Sequence, residues 1–152
     1  MIRKINVHDK EKYIAMAKEF YKSDAVLHSI PDENIYKTFD TIVSGSPFVD
    51  AYIYEHNGDI AGYALLSLTY SNEAGGHVLW IEEVYILAEY QGHGFGKDLF
   101  AFIEKAYKDK VVRIRLEVEE ANHRAISLYE RLGYTRLDYM QMYKQRPELL
   151  QS

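Results

Sequence analysis

The stretch "YQGHGFGKDLF", residues 90–100, is the most informative part of the sequence. Its three glycines, Gly92, Gly94 and Gly96, alternate with other residues and are followed by an amphipathic segment. A strand pattern ends near Leu87, so these glycines lie between a strand and a helix that begins near Gly94. Glycine allows close backbone approach to a ligand, and a helix N-terminus offers unpaired N–H groups. The stretch therefore predicts an anion site that suits a phosphate group, although a purely structural turn is the alternative.

Two common phosphate-binding motifs do not fit this loop. A dinucleotide fingerprint needs the spacing G-x-G-x-x-G, but the third glycine would fall on Lys97 or on Leu99. A P-loop needs a glycine five residues before its Gly-Lys pair and a hydroxyl residue after it, where this chain has Gln91 and Asp98. The loop must belong to another class of phosphate site.

The chain before the loop alternates between strand and helix patterns. "IRKINV" predicts an opening strand, and two helical patterns follow it, the first with Asp9 as its expected N-cap. Asn57-Gly58 predicts a tight hairpin between two apolar runs. The Gly75-Gly76 turn then leads into the strand "HVLWIEEVYIL".

The chain after the loop repeats the alternation. "KDLFAFIEKAYKD" predicts a helix and "VVRIRLEVE" a strand, which together complete a strand–helix–strand crossover. "NHRAISLYERLGY" predicts a last helix, closed by Gly133, and "TRLDYMQMYK" predicts a terminal strand. No repeat or linker interrupts the pattern, so we expect a single α/β domain over residues 1–152.

The loop Gln91-Gly-His-Gly-Phe-Gly96 resembles the Q/R-x-x-G-x-G/A signature of the GNAT superfamily of N-acetyltransferases. "WIEEVYILAEYQGHGFGKDLF" is similar to that family's fourth strand, loop and helix, and "LEVEEANHRAISLYERLGY" to its fifth strand and next helix. The resemblance implies a GNAT fold, with a mixed central sheet of about six to seven strands and about four flanking helices.

The resemblance also implies where acetyl-CoA binds. The loop amides would hold the pyrophosphate, and the fourth strand would pair with the pantetheine arm as an added strand does. Asn122 would reach the cofactor arm, or serve only as the N-cap of its helix. The implied cofactor-binding residues are Val84, Tyr85, Ile86, Gln91, Gly92, His93, Gly94, Phe95, Gly96, Lys97, Asn122 and Tyr129.

Glu82 and Glu83 interrupt an otherwise apolar strand beside these positions. An alkyl ammonium with a pKa of about 10.4 must lose a proton before it can attack a thioester, and a buried carboxylate is a suitable base. Strand alternation predicts that Glu82 shares a face with Val84 and that Glu83 lies on the other face. We expect Glu82 to be the base and Glu83 to bind the ammonium, the alternative being two solvated or salt-bridged glutamates.

Tyr129, seven residues after Asn122, matches the tyrosine that serves the family as general acid. It would protonate coenzyme A, which leaves as a thiolate and whose thiol has an ordinary pKa of about 8.5. By helical spacing it also lies near an apolar face, so a packing role is the alternative.

The composition narrows the classes of function and partner. A formal net charge of −5 argues against a general nucleic-acid binder, and no run approaches the roughly 18 apolar residues of a membrane helix. No cysteine is present, which favours a reducing, cytoplasmic location and excludes disulfides, thiolate metal sites and a cysteine nucleophile. The histidines show no metal-binding spacing, so no metal is expected.

The sequence therefore predicts an acetyl-CoA-dependent N-acetyltransferase that acts on a primary amine by direct attack in a ternary complex. A small, polyamine-like acceptor is favoured, because "WIEEVYI" resembles the acidic pair of small-amine members of the family. The alternatives are a non-catalytic acyl-CoA-binding sensor and, within the class, a protein N-terminal or lysine acetyltransferase. Family members often pair through their carboxyl-terminal strands, which implies a homodimer.

Overall fold

A computed structural model describes residues 1–150 of the chain. The strands are β1 (Ile2–Lys4), β2 (Val49–His56), β3 (Asp59–Ser71), β4 (Gly76–Ile86) and β5 (Arg113–Leu116). The α-helices are α1 (Lys10–Phe20), α2 (Asp32–Val43), α3 (Phe95–Tyr107) and α4 (His123–Arg131). The chain divides into two compact units, the first Met1–Glu119 and the second beginning at Glu120, which are described separately.

The first unit is built on one mixed sheet with the strand order β1-β2-β3-β4-β5. The first four strands are antiparallel neighbours, whereas β4 and β5 run parallel and are connected through α3. Two parallel neighbours need such a crossover, because the chain must return to the end of the sheet at which the first strand began. The predicted α/β class and the strand–loop–helix–strand unit are therefore confirmed.

The sheet of the described residues has five strands, not the six to seven expected. The predicted terminal strand is wrong, because residues 135–144 form no strand. Several of their apolar side chains are exposed, and Met140, Met142 and Tyr143 are each at least 90% exposed. A strand exists only when its backbone groups pair with a neighbour, so an alternating sequence is not sufficient.

The turns follow from backbone conformations that few residue types adopt. Asn57 and Gly58 have φ angles of 53° and 87°, both positive, as a two-residue hairpin turn between twisted strands requires. Gly75 has a φ of 79° at the entry to β4. The predicted hairpin and turn are thus present.

Helices cover both faces of the sheet in the first unit. Ala51 and Ile53 of β2 belong to a buried cluster with residues of α1 and α2, among them Tyr13. The alternate residues Tyr52 and Tyr54 contact α3 instead, where their rings lie 5.0 Å from that of Phe102 and 4.6 Å from that of Phe95. Because successive side chains of a strand point to opposite faces, α1 and α2 lie on one face and α3 on the other.

Asp9 does not cap α1 with its side chain, contrary to expectation. It occupies the N-cap position, but its carboxylate accepts hydrogen bonds from both terminal nitrogens of Arg3 and from the Asn6 amide, at 2.8–2.9 Å. A bidentate guanidinium pair is stronger than a neutral cap bond. Asp9 therefore fixes β1 to the start of α1.

None of the helices in residues 1–150 combines the length and the apolar character that crossing a membrane requires.

Candidate active site

The glycine loop connects β4 to α3 as predicted. Gly94 is the N-cap of α3 with a φ of 82°, and Gly92 has a φ of 81°. A β-carbon added at Gly92, Gly94 or Gly96 would meet no atom within 4 Å, so the space in front of the loop is open. The first-turn amides of a helix have no partner within that helix. Open space and free donors suit a phosphate group, as the predicted anion site requires.

Side-chain contacts hold both ends of the glycine loop in place. Phe95 is buried, and its ring stacks on that of Tyr54 at 4.6 Å. The hydroxyl of Tyr54 donates to Asp98, one turn along α3, at 2.8 Å. The side-chain amide of Gln91 donates to the carbonyl of Ile86 at 2.9 Å. These contacts hold the loop against the end of β4, while Lys97 remains exposed.

The backbone of β4 is open on one side beyond Ile81. β5 pairs with β4 only from Val78 to Ile81, although β4 continues to Ile86. In the described part of the chain, no other strand takes that side of Val84–Ile86. An extended ligand arm can pair with such an edge. The edge leads to the glycine loop, as the expected cofactor arm requires.

A β-bulge in β4 corrects the expected facing of the acidic pair. Leu65 pairs with Glu83, but Leu66 pairs with Ile81, so Glu82 is an extra residue. Ser67 donates to the Glu82 carboxylate and Tyr63 donates to the Glu83 carboxylate. Ser67, Leu65 and Tyr63 alternate along β3 and share one face. Both glutamates therefore lie on the face that carries α1 and α2, not on opposite faces.

Glu83 is the buried member of the pair, with 7% of its surface exposed. The Tyr63 hydroxyl donates to its Oε1 at 2.6 Å and the Tyr21 hydroxyl donates to its Oε2 at 2.7 Å. Burial raises the pKa of Glu83, the two phenols oppose the rise, and Glu82 adds to it. A carboxylate with a raised pKa that still holds two hydrogen bonds is equipped to accept a proton.

Glu82 is exposed, unlike its neighbour. The sequence predicted a buried carboxylate at each position, and only Glu83 satisfies that expectation. Because its carboxylate is exposed, Glu82 is accessible to a cation from solvent.

Sequence reasoning missed the two tyrosines that contact Glu83. Tyr63 lies in the middle of β3 with no exposed surface, and Tyr21 is the C-cap residue of α1. The signal for Tyr63 was its place in a continuous apolar strand, since a buried phenol needs a hydrogen-bond partner. Nothing in the sequence brings Tyr21 to β4, because that proximity arises from helix packing.

The second unit carries the other two expected site residues. Asn122 is the N-cap of α4, and its side-chain oxygen accepts from the Ala125 amide at 3.2 Å. Tyr129 lies in the last turns of α4, half-buried, and burial raises the pKa of its hydroxyl. A phenol with a raised pKa stays protonated at neutral pH and can donate a proton.

Comparisons with known proteins show similarity to acetyltransferases. The chain is 34% identical over 85 residues to the spermine/spermidine N(1)-acetyltransferase of Bacillus subtilis (strain 168), a match covering 52% of this chain and 55% of that protein. The chain spans about half the length of these curated relatives.

Solved structures share the fold over nearly the whole chain. A possible acetyltransferase from Clostridium difficile 630 superposes with a TM-score of 0.83 at 22% identity, covering 96% of each chain. The aminoglycoside N-acetyltransferase AAC(6′)-Iy, solved in complex with CoA, gives a TM-score of 0.76 at 18% identity, covering 96% of this chain and 94% of that one.

The sequence profile described as the acetyltransferase (GNAT) family matches residues 13–134, a range that includes the acidic pair, the glycine loop and α4. The chain belongs to the acetyltransferase (GNAT) family.

Proposed function

We propose that this protein is an acetyl-CoA-dependent N-acetyltransferase that acetylates the primary amine of a small, polyamine-like acceptor. The observation that carries the proposal is the buried Glu83 carboxylate on β4, the strand that leads directly into the glycine loop. A protein that only bound an acyl-CoA would not need a catalytic base on that strand. The likeness to a spermine/spermidine acetyltransferase supports the choice of acceptor.

Acetyl-CoA, when bound, supplies an activated thioester to the acceptor nitrogen. The amides of Gly92 to Lys97 would hold its pyrophosphate, and the open edge of β4 at Val84, Tyr85 and Ile86 would align its arm. Asn122 and Tyr129 remain proposed contacts. This arrangement permits direct attack by the amine in a ternary complex.

Glu83 is proposed as the base and Glu82 as the group that attracts the ammonium. Preparing a free amine from an ammonium of pKa about 10.4 at pH 7 costs about 4–5 kcal/mol. Burial raises the pKa of Glu83 and so brings its basicity closer to what this step needs. We therefore propose the reverse of the roles expected from the sequence, because Glu83 is buried and Glu82 is exposed.

Tyr129 is proposed as the general acid that protonates the leaving thiolate. The role rests on the match of Tyr129 to the family's general-acid tyrosine and on its phenol, which is protonated at neutral pH. The family profile spans residues 13–134 across the boundary between the two units, which supports one GNAT domain over the chain.

We further propose a cytoplasmic homodimer. The cysteine-free composition is consistent with a reducing compartment. The exposed side chains of Tyr139, Met140, Met142 and Tyr143 offer an apolar surface for a second copy. Light scattering should give about twice the 17.7 kDa chain mass, and a monomer mass at micromolar concentration would refute the dimer.

The function is tested by incubating the protein with acetyl-CoA and a panel of amines while free thiol is measured. The panel contains spermidine, a diamine, an aminoglycoside, an amino acid and a peptide with a free N-terminus. We expect thiol release above the hydrolysis blank, with an acetylated small amine found by mass spectrometry. Acetyl-CoA binding by calorimetry without thiol release would favour a sensor, and acetylation of the peptide alone would favour a protein acetyltransferase.

A further inference from the structure

Two phenols contact the carboxylate of Glu83, and they differ in access to solvent. Tyr63 has no exposed surface, and its ring packs edge-on against Tyr13 at 5.2 Å. Tyr21 is half-buried and begins the segment that connects α1 to α2. Its hydroxyl lies 2.7 Å from Oε2 of Glu83. Of these two phenols, therefore, Tyr21 is the one whose side chain is partly exposed to solvent.

Glu83 itself is nearly inaccessible, with 7% of its surface exposed. An acceptor dissolved in water cannot easily bring its ammonium into direct contact with such a carboxylate. A hydroxyl group, however, can accept one hydrogen bond while it donates another. Tyr21 therefore has the chemistry to connect an acceptor at the surface with the buried base.

The proposed function requires a proton to travel from the acceptor to Glu83, and this inference depends on that function. We propose that Tyr21 relays this proton. The ammonium N–H bond breaks as its proton goes to the Tyr21 oxygen, while the original Tyr21 O–H bond breaks and its proton goes to Oε2 of Glu83. The electron pair of the N–H bond stays on nitrogen, which becomes the nucleophile, and Tyr21 ends as a neutral phenol.

The charges around Glu83 favour a concerted transfer through Tyr21. The groups that face Glu83 are Tyr13 of α1, Tyr21 just after α1, Tyr63 of β3 and Glu82 of β4. The pKa of the Tyr21 hydroxyl is raised, chiefly by burial and then by the neighbouring Glu83 carboxylate. Tyr13 and Glu82 make smaller contributions to the rise. A free phenolate is thus disfavoured, so Tyr21 must gain one proton as it loses the other. The exposed Glu82 adds negative charge near this hydroxyl, where the ammonium would arrive.

The test compares Tyr21→Phe with Tyr63→Phe, because each variant removes one phenol from the same carboxylate. Rates of acetyl transfer to spermidine are measured from pH 6 to pH 10, with Glu83→Gln measured in parallel. Both phenylalanine variants remove a bond that lowers the pKa of Glu83, so both should shift the acidic limb of kcat/KM upward. Only Tyr21→Phe should also lower the plateau of kcat/KM at neutral pH, by about 10²-fold or more. This loss in kcat/KM should diminish as the pH approaches the pKa of the amine.

The outcomes separate the relay from the function on which it depends. A neutral-pH loss in Tyr21→Phe that recovers at high pH, without one in Tyr63→Phe, supports the relay. Equal plateaus in the two variants would overturn it, even if Glu83→Gln still shows a loss that recovers at high pH. A Glu83→Gln loss that is constant with pH would overturn Glu83 as base, and with it the relay. Thermal unfolding of each variant establishes that it is folded.

Discussion

Leu65 of β3 pairs with Glu83 of β4 across a β-bulge, which leaves Glu82 as the unpaired extra residue. The bulge turns both carboxylates to the face that carries α1 and α2, but only Glu83 is buried there. A bulge beside a site commonly redirects a side chain. In this chain it produces one exposed and one buried carboxylate from two adjacent glutamates.

Gly96→Val should separate folding from cofactor binding. Gly96 lies in the first turn of α3, and a β-carbon there meets no atom within 4 Å. Valine is no poorer a helix former than glycine, so the free energy of unfolding should not fall appreciably. The branched side chain would occupy the proposed pyrophosphate space, and calorimetry should show acetyl-CoA affinity reduced by about tenfold or more.

The matched control for Gly96→Val is Glu104→Val, an exposed position on the same helix. It should leave acetyl-CoA affinity unchanged. Unchanged affinity in a folded Gly96→Val variant would contradict the assignment of the loop.

Gly62→Ala should destabilise the sheet beside the site. A β-carbon at Gly62 would lie 2.4 Å from the carbonyl oxygen of Tyr85 and 2.6 Å from the Cδ1 atom of Ile86. Because the first of these atoms belongs to the backbone of β4, the strands must move apart, at a cost of about 1–3 kcal/mol. Chemical denaturation measures the loss, and Thr69→Ala, at an exposed position of β3, should change stability by less than about 0.5 kcal/mol. Equal stabilities of Gly62→Ala and wild type would show that the strands are not so close.

The burial of Glu83 should appear in the pH dependence of stability. A carboxylate whose pKa is higher in the folded state than in the unfolded state binds its proton more tightly when folded. Its contribution is fully present below the unfolded pKa of about 4.3 and is lost as the pH rises through the raised folded pKa. The free energy of unfolding of wild type minus that of Glu83→Gln should therefore fall across this window and be constant above it. Urea unfolding at a series of pH values measures this difference, and a flat difference would mean that Glu83 titrates normally.

Tyr129→Phe should affect turnover more than binding. If the hydroxyl protonates the leaving thiolate, its removal should lower kcat by about 10²–10⁴-fold, the usual worth of one proton-transfer group. Acetyl-CoA affinity, measured by calorimetry, should change little. A variant with normal kcat would assign Tyr129 to packing in α4.

Much of the fold could be predicted because local rules decide it. Asn57-Gly58 specifies its own hairpin, and the alternating glycines specify a strand-to-helix loop at Gly92–Gly96. The terminal strand failed because residues 135–144 have the pattern of a strand but no neighbouring strand to pair with in the described chain. Pairing is a tertiary property, which sequence alternation does not contain.

The candidate site could be predicted only in part for the same reason. The acidic pair was visible, but strict alternation placed the two glutamates on opposite faces, since a one-residue bulge leaves no clear mark in the sequence. Tyr21 and Tyr63 were missed because their contacts with Glu83 are tertiary. Tyr21, at the end of α1, meets Glu83 when that helix packs on the sheet, and Tyr63 meets it when β3 pairs with β4. The residue types led to the prediction of a carboxylate base. Packing decides which of the two glutamates is buried.

The most direct test of the central claim is the pH profile of kcat/KM for Glu83→Gln beside that of Glu82→Gln, with spermidine as acceptor. If Glu83 accepts the proton of the ammonium, Glu83→Gln should be most impaired near pH 7 and recover as the pH approaches about 10.4, where the amine is already free. Glu82→Gln should mainly raise the KM for the cationic acceptor, with no such recovery in kcat. A defect in Glu83→Gln that stays constant from pH 7 to pH 10, or recovery in Glu82→Gln instead, would contradict the account.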